Sequence, residues 1–182
     1  MLERQGGGGF TVHEVLAEAG LGTRAFYRHF PSKEALVLAV FAEGAQQERA
    51  RLEARMTGAR TPTEAVTAWI ESRLELAFDE GVADSMRVLS LEAQLAIEHA
   101  PEQLAAAFDC VLAPLIEQLA RGQQDGSFSG DDPERDARAL HDVVWGETLR
   151  QWSAFGTGPG GARQHVLGFC LRAIGAGSGD GR

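Results

Sequence analysis

Apolar residues recur at intervals of three and four along nearly the whole chain, and no stretch alternates persistently at every second position, so the pattern predicts helices and no sheet. Thr11-Val12-His13-Glu14 is a capping box, and Val12, Val15, Leu16 and Ala19 follow on one face; Gly20 and Gly22 end that helix and open a turn. A second, short helix runs from about Thr23 to Phe30, with Phe26 and Phe30 facing inward to hold it on Leu16. Pro31-Ser32 breaks the chain, and Ser32 caps a long helix to about Met56 with Leu36, Val40, Leu52 and Met56 spaced along it. Thr61-Pro62-Thr63-Glu64 is a second capping box with proline at the first helical position, starting a helix to about Asp79. Further helices fit Ala83 to Glu98, Pro101 to Arg121 with a bend at Pro114, Pro133 to Phe155, and Gly161 to Ile174. The Gly/Ser-rich stretch from Gly175 reads as a frayed tail.

At 182 residues and 44% hydrophobic content, the chain is large enough for a real core. It has no long uncharged apolar run and no basic segment leading into an apolar one at the N-terminus, so no membrane partner and a cytoplasmic location are expected. Cys110 and Cys170 lie far apart without metal-ligand spacing, and both are expected to be buried small side chains in a reducing compartment. The net charge of −9 excludes a uniformly basic nucleic-acid binder, but it is unevenly distributed. Residues 1–60 hold eight Lys/Arg against seven Asp/Glu, while the rest of the chain holds nine against 19. Within residues 20–36, Arg24, Arg28 and Lys33 stand against Glu34 alone, beside His29. An acidic body behind a basic tip orients such a molecule toward a polyanion.

Tyr27 and Lys33 are the only tyrosine and the only lysine of the chain, six residues apart in this basic tip. The order is a turn, a short basic aromatic helix, a Pro-Ser break, and a new helix with a cation in its first turn. A helix entering the DNA major groove needs short or donor side chains toward the bases, flanked by groups that hold phosphates. Thr23, Arg24 and Ala25 occupy the first turn; Arg24 suits a bidentate pair with guanine, and Ala25 a thymine methyl. The Tyr27 hydroxyl, four residues beyond Thr23, is placed to reach a phosphate. Taken singly, Arg24 and Arg28 fit an ordinary solvated helix face; the complete order favours DNA.

The stretch Gly20-Leu21-Gly22-Thr23-Arg24-Ala25-Phe26-Tyr27-Arg28-His29-Phe30-Pro31-Ser32-Lys33-Glu34-Ala35-Leu36, with Thr11 to Ala19 before it, resembles the helix-turn-helix of the TetR (tetracycline-repressor-like) family of bacterial regulators over about residues 10–41. The resemblance implies an all-α protein. Its helix-turn-helix DNA-binding domain would span 1–41, the rest of a linking helix and loop 42–60, a larger effector-binding and dimerisation domain 61–175, and a flexible tail 176–182. It also implies double-stranded operator DNA, a small-molecule effector and a second copy of the chain as partners, with repression the commoner output and no cofactor. By this resemblance Tyr27 and Lys33 contact phosphate, Thr11 and Thr23 assist, Arg24 and Ala25 read bases, and His29 stands at a histidine common in the family; Arg28 completes the basic face. Gly22 stands where a capping Ser or Thr is frequent, Arg24 where a small residue is frequent, and Gly7 where an aromatic usually follows the first loop glycine.

Only Met1 to Gln5 precede Gly6-Gly7-Gly8-Gly9, so the helix that should close the helix-turn-helix core is largely absent, with Leu2 in its last turn. The expectation is an upstream start, with about 10 to 25 further residues forming an amphipathic helix of roughly 3.6 residues per turn. The glycine run has no following Lys-Ser/Thr and no preceding strand, which argues against a phosphate loop.

Leu140, Val144, Trp152 and Phe155, with Val166, Leu167, Phe169, Cys170, Leu171 and Ile174, suit a four-helix contact between two copies of the chain, or alternatively the core of one. Trp69, Phe78, Met86, Phe108 and Trp145, with Arg73 as an anion partner, are candidates to line an apolar effector cavity; core packing is the competing explanation of aromatics at helical spacing. His141-Asp142 with His99 upstream would be the kernel of a metal-dependent phosphohydrolase, but the pairing is short and commonly arises by chance, so neither catalytic nor metal-binding residues are expected. A helical partner-binding protein with a decayed DNA domain is the remaining rival.

Overall fold

The computed structural model describes residues 11–79, 100–153 and 159–176. These form α1 (Val12–Ala19), α2 (Thr23–His29), α3 (Lys33–Met56), α4 (Pro62–Glu75) with a 3-10 turn at Leu76–Phe78, α5 (Pro101–Gln124), α6 (Pro133–Gln151) and α7 (Pro159–Ala173). The described residues contain no strand, and the fold is all-α. The helix expected over 83–98 lies outside the described residues, as do Leu2, Gly7, Phe10, Met86, His99 and Phe155.

Both ends of α1 follow from its sequence. The Glu14 amide donates to Thr11 Oγ1 (3.2 Å), and the Glu14 carboxylate accepts from the Thr11 amide (2.7 Å), closing the capping box. The backbone hydrogen bond from Thr11, then the one from its hydroxyl, hold the Glu14 carboxyl below the usual carboxylate range. Gly20 takes the left-handed conformation (φ 64°), with its amide bonded to Ala17 O and that of Leu21 to Leu16 O, the paired closure for which glycine is favoured. Ser32 caps α3 by accepting from the Ala35 amide (3.2 Å). The box at α4 is only half made. Thr61 Oγ1 accepts from the Glu64 amide, but the Glu64 carboxylate passes over Thr61 to the Arg60 amide (2.7 Å).

The 24-residue α3 ties the N-terminal helices to the rest, burying Val37 near its start and Ala45 and Leu52 further along. Val40, expected on that stripe, is exposed. It packs along α4 and α5, and α4 is itself enclosed by α3, α5, α6 and α7. That central position explains why α4 is buried nearly all round, including Val66, Trp69, Ile70 and Leu74. The main core joins these to Leu112, Leu115 and Leu119 of α5, Leu140 and Val144 of α6, Val166 and Cys170 of α7, and Ile174 just beyond it. α5 is long and apolar enough by composition to cross a membrane, yet those leucines face protein. It continues through the buried Pro114.

Three expectations change here. The helix over 133–155 ends at Gln151. Cys170 is buried, with burial pushing its thiol up to about 11, but Cys110 is only half-buried. The chain at Gly175 is tied down rather than frayed. Gly175 (φ 72°) and Ala176 bond back to Arg172 O and Leu171 O, and the Ser129 amide donates to Ile174 O (2.8 Å); residues 177–182 lie outside the described residues.

Candidate nucleic-acid interface

The seat of α2 is built from very few residues. Leu16 of α1 and Phe26 of α2 are both buried, and Phe30 lies against Phe26 with ring centroids 5.6 Å apart. Tyr27 meets the Phe26 ring edge-on at 5.1 Å and 88°, but remains 58% exposed. Because Phe26 occupies the inward face, Thr23, Arg24, Tyr27 and Arg28 are left exposed, with Ala25 half-buried among them. His29 is exposed at the last turn; its Nε2 lies 3.3 Å from Arg28 Nη2, and in that pairing the ring accepts. Lys33 is half-buried at the first position of α3, across the Pro31-Ser32 break.

The backbone supports the same face. Gly22 caps α2 with no side-chain hydrogen bond, as its lack of a hydroxyl requires. Thr11 is differently placed from what a phosphate-binding role needs: its hydroxyl donates to Glu14 Oε2 (2.8 Å) while accepting from the Glu14 amide. Its one proton is therefore spoken for, and a phosphate reaches it only by opening the cap. What remains is a short helix pinned on one side by aromatics, presenting two arginines, a tyrosine hydroxyl and a threonine on the other, with a lysine at the next helix start.

Residues 1–40 match the family model "Bacterial regulatory proteins, tetR family". The described architecture shares its all-α fold with solved regulatory proteins of that family. A tetR-family regulatory protein from Rhodococcus RHA1 superimposes with a TM-score of 0.70 at 20% identity, covering 92% of this chain and 87% of its own. The reduced form of NemR from E. coli gives 0.68 at 19%, covering 92% and 88%. The Bacillus subtilis transcriptional regulator FadR, in complex with stearoyl-CoA, gives 0.70 at 19%, covering 91% and 89%. No curated protein sequence matches significantly.

Five of the six effector-lining candidates lie among the described residues of the larger helical domain. Trp69 is fully buried in the core, Phe78 is half-buried in the 3-10 turn, and Met86 lies outside the described residues. Phe108 on α5 is 46% exposed, with its ring edge toward His141 of α6 at 6.1 Å; His141 stacks on Trp145 (6.4 Å, 11°), and Trp145 meets Trp152 edge-on at 5.6 Å. Phe108 and Trp145 thus belong to one aromatic run, completed by His141 and Trp152. The spacing of four and seven from His141 through Trp145 to Trp152, at the end of α6, was the sequence signal for that run. Burial, with the Arg73 charge second, lowers the His141 pKa against the opposing pull of Asp142, 3.4 Å away. Arg73 is not free: its Nη1 donates to Glu48 of α3 at 2.7 Å. Glu48 also accepts from Arg51 Nε (2.8 Å) and Nη2 (2.9 Å), and Arg51 reaches on to Ser72 O (3.0 Å). These hydrogen bonds and charges hold the Glu48 carboxyl below its usual range even though burial, the largest single influence, pushes the other way.

Proposed function

We propose that this chain is a homodimeric transcriptional regulator that binds palindromic operator DNA through α2 and is released by a small-molecule effector, acting as a repressor. The observation that carries the reading is the exposed Arg24–Tyr27–Arg28 face of a helix seated on Phe26 and Leu16, followed at once by Lys33 at a helix start. In it Arg24 and Ala25 meet base edges, while Tyr27, Arg28, Lys33 and Thr23 hold the phosphates and His29 keeps Arg28 in place. Thr11 contributes its cap rather than a direct donor. That FadR from Bacillus subtilis is seen with stearoyl-CoA supports an apolar-ligand role for the second domain.

For the dimer, the sequence suggested a face that is divided in the folded chain. Leu140, Val144, Val166, Cys170 and Ile174 are consumed by the subunit's own core. Leu149 of α6 and Phe169 of α7 stay 43% and 47% exposed, while Leu167 and Leu171 pack partly against the core, so each helix still offers an exposed apolar side chain to a second copy.

Gel retardation with the DNA flanking the gene tests the function. The expected duplex is palindromic, with half-site centres separated by whole helical turns of roughly 34 to 36 Å. Retardation of every duplex alike, or of none, overturns operator recognition.

A further inference from the structure

Trp69 Nε1 and Ser72 Oγ are buried and find no hydrogen-bond partner among the described residues. Buried polar groups are nearly always paired, so two on one helix invite an explanation. Trp69, Ser72, Arg73 and Leu76 share one face of the α4 segment, since residues three and four apart on a helix are neighbours. The Leu76 end of that face is tied to the aromatic run, its main-chain carbonyl accepting from Trp152 Nε1 at 3.3 Å, and the Arg73 charge acts on His141 while its guanidinium donates to Glu48.

The chemistry of these groups selects a ligand. An indole N–H and a guanidinium only donate, and a serine hydroxyl can donate, so the missing partner is an acceptor. A guanidinium prefers the two parallel oxygens of a carboxylate. We propose that the α4–α6 interior takes an organic carboxylate, its oxygens on Ser72, Trp69 and Arg73 and its apolar body against Phe108, His141, Trp145 and Trp152, and that it binds by exchanging with Glu48 for Arg73.

The exchange leaves no charge stranded. Glu48 keeps both hydrogen bonds from Arg51 when Arg73 turns away, and Arg73 gains a new carboxylate. It has a direction as well. Glu48 lies on α3, the helix that begins at Lys33 beside the DNA-binding face, so losing the Glu48–Arg73 link loosens α3 from α4. This last step rests on the regulator reading; the binding site itself does not.

All three tryptophans of the chain lie in this region, so the intrinsic fluorescence of the full chain reports occupancy. The probes are benzoate, 1-naphthoate and octanoate, each beside its neutral amide. At least one carboxylate should change the fluorescence saturably, with its amide about tenfold weaker, a difference equivalent to the usual ~1.4 kcal/mol per decade. Arg73→Gln should weaken binding by at least that factor, and Ser72→Ala, which strands no charge, should weaken it several-fold. Glu48→Gln removes the internal competitor and should tighten binding. A melting curve by circular dichroism identifies any variant that has unfolded, and Ser72→Ala and Glu48→Gln then carry the decision. Amides that bind as well as carboxylates overturn the inference. So do carboxylates that leave the fluorescence unchanged, as they would if buried water satisfied Trp69 and Ser72, and so does a Glu48→Gln variant that binds no tighter. Promoter DNA retardation is measured separately. Carboxylate binding without retardation sinks the regulator and leaves the site standing, whereas retardation with no carboxylate response sinks the site alone.

Discussion

Replacing Phe26 with alanine tests whether the proposed DNA-binding face depends on the single aromatic beneath it. Among residues 11–31 only Leu16 and Phe26 are buried, and Phe26 also carries the ring contacts to Tyr27 and Phe30. Truncating a buried phenylalanine to alanine costs about 3 to 5 kcal/mol, which is roughly two to three and a half powers of ten in an opening equilibrium. With so little other apolar contact, the loss should fall on α1 and α2 alone, because the core around Leu74, Leu115 and Val144 contains no atom of this cluster. Hydrogen exchange should therefore accelerate strongly in residues 11–31 while the amides of α4, α5 and α6 keep their protection. DNA affinity should drop by the fraction of chains whose α2 is no longer seated. Phe26→Leu, an apolar replacement of comparable bulk, should cost less than about 1.5 kcal/mol and retain most binding. Equal acceleration throughout the chain would show that the two regions unfold as one unit. No acceleration within residues 11–31 would show that Phe26 is not what holds α2.

Lys33→Ala should weaken binding to all duplexes and lower the salt slope by about one, whereas Arg24→Ala should relax sequence preference at a cost of ~1 to 3 kcal/mol; titrations at several salt concentrations, on matched and mismatched duplexes, separate the two, and identical effects would refute the assignment. Gly20→Ala places a Cβ at φ 64° and should destabilise the protein by about 1 to 2 kcal/mol in denaturant melts, although the site has open space around it. Val144→Arg should unfold the second domain, because that side chain is interior to the subunit, while Phe169→Arg should leave it folded and monomeric by light scattering; a folded dimer of the second variant would place the contact elsewhere. His141 has a folded pKa below its unfolded value of about 6.5, so the unfolded chain takes up a proton that the native ring resists. Stability should then decline as pH falls below about 6.5 and level off beneath the lowered folded value, and His141→Phe should remove that segment of the pH profile.

Local chemistry was legible in the sequence wherever a few neighbouring residues decide the outcome. Thr11 and Glu14 close their box, Gly20 supplies the left-handed turn, Ser32 caps α3, and Phe26 and Phe30 face inward because residues four apart share a helix face. The proposed DNA-binding face follows from the same short-range geometry, since burying Phe26 necessarily exposes Arg24, Tyr27 and Arg28. Periodicity also carried the all-α fold and most helix limits. What it left open was which apolar face meets which neighbour. Val144 and Ile174 read first as dimer contacts and second as core, and only the enclosure of α4 by four other helices assigns them to the core. The partner of Arg73 was likewise out of reach, because Glu48 lies 25 residues away and is brought within 2.7 Å only when α3 and α4 pack. The Glu64 carboxylate turned to Arg60 instead of Thr61, a choice set by the loop before α4. The aromatic run from Phe108 to Trp152 crosses from α5 to α6, and a pattern that repeats within one helix carries no information about the ring waiting on the next.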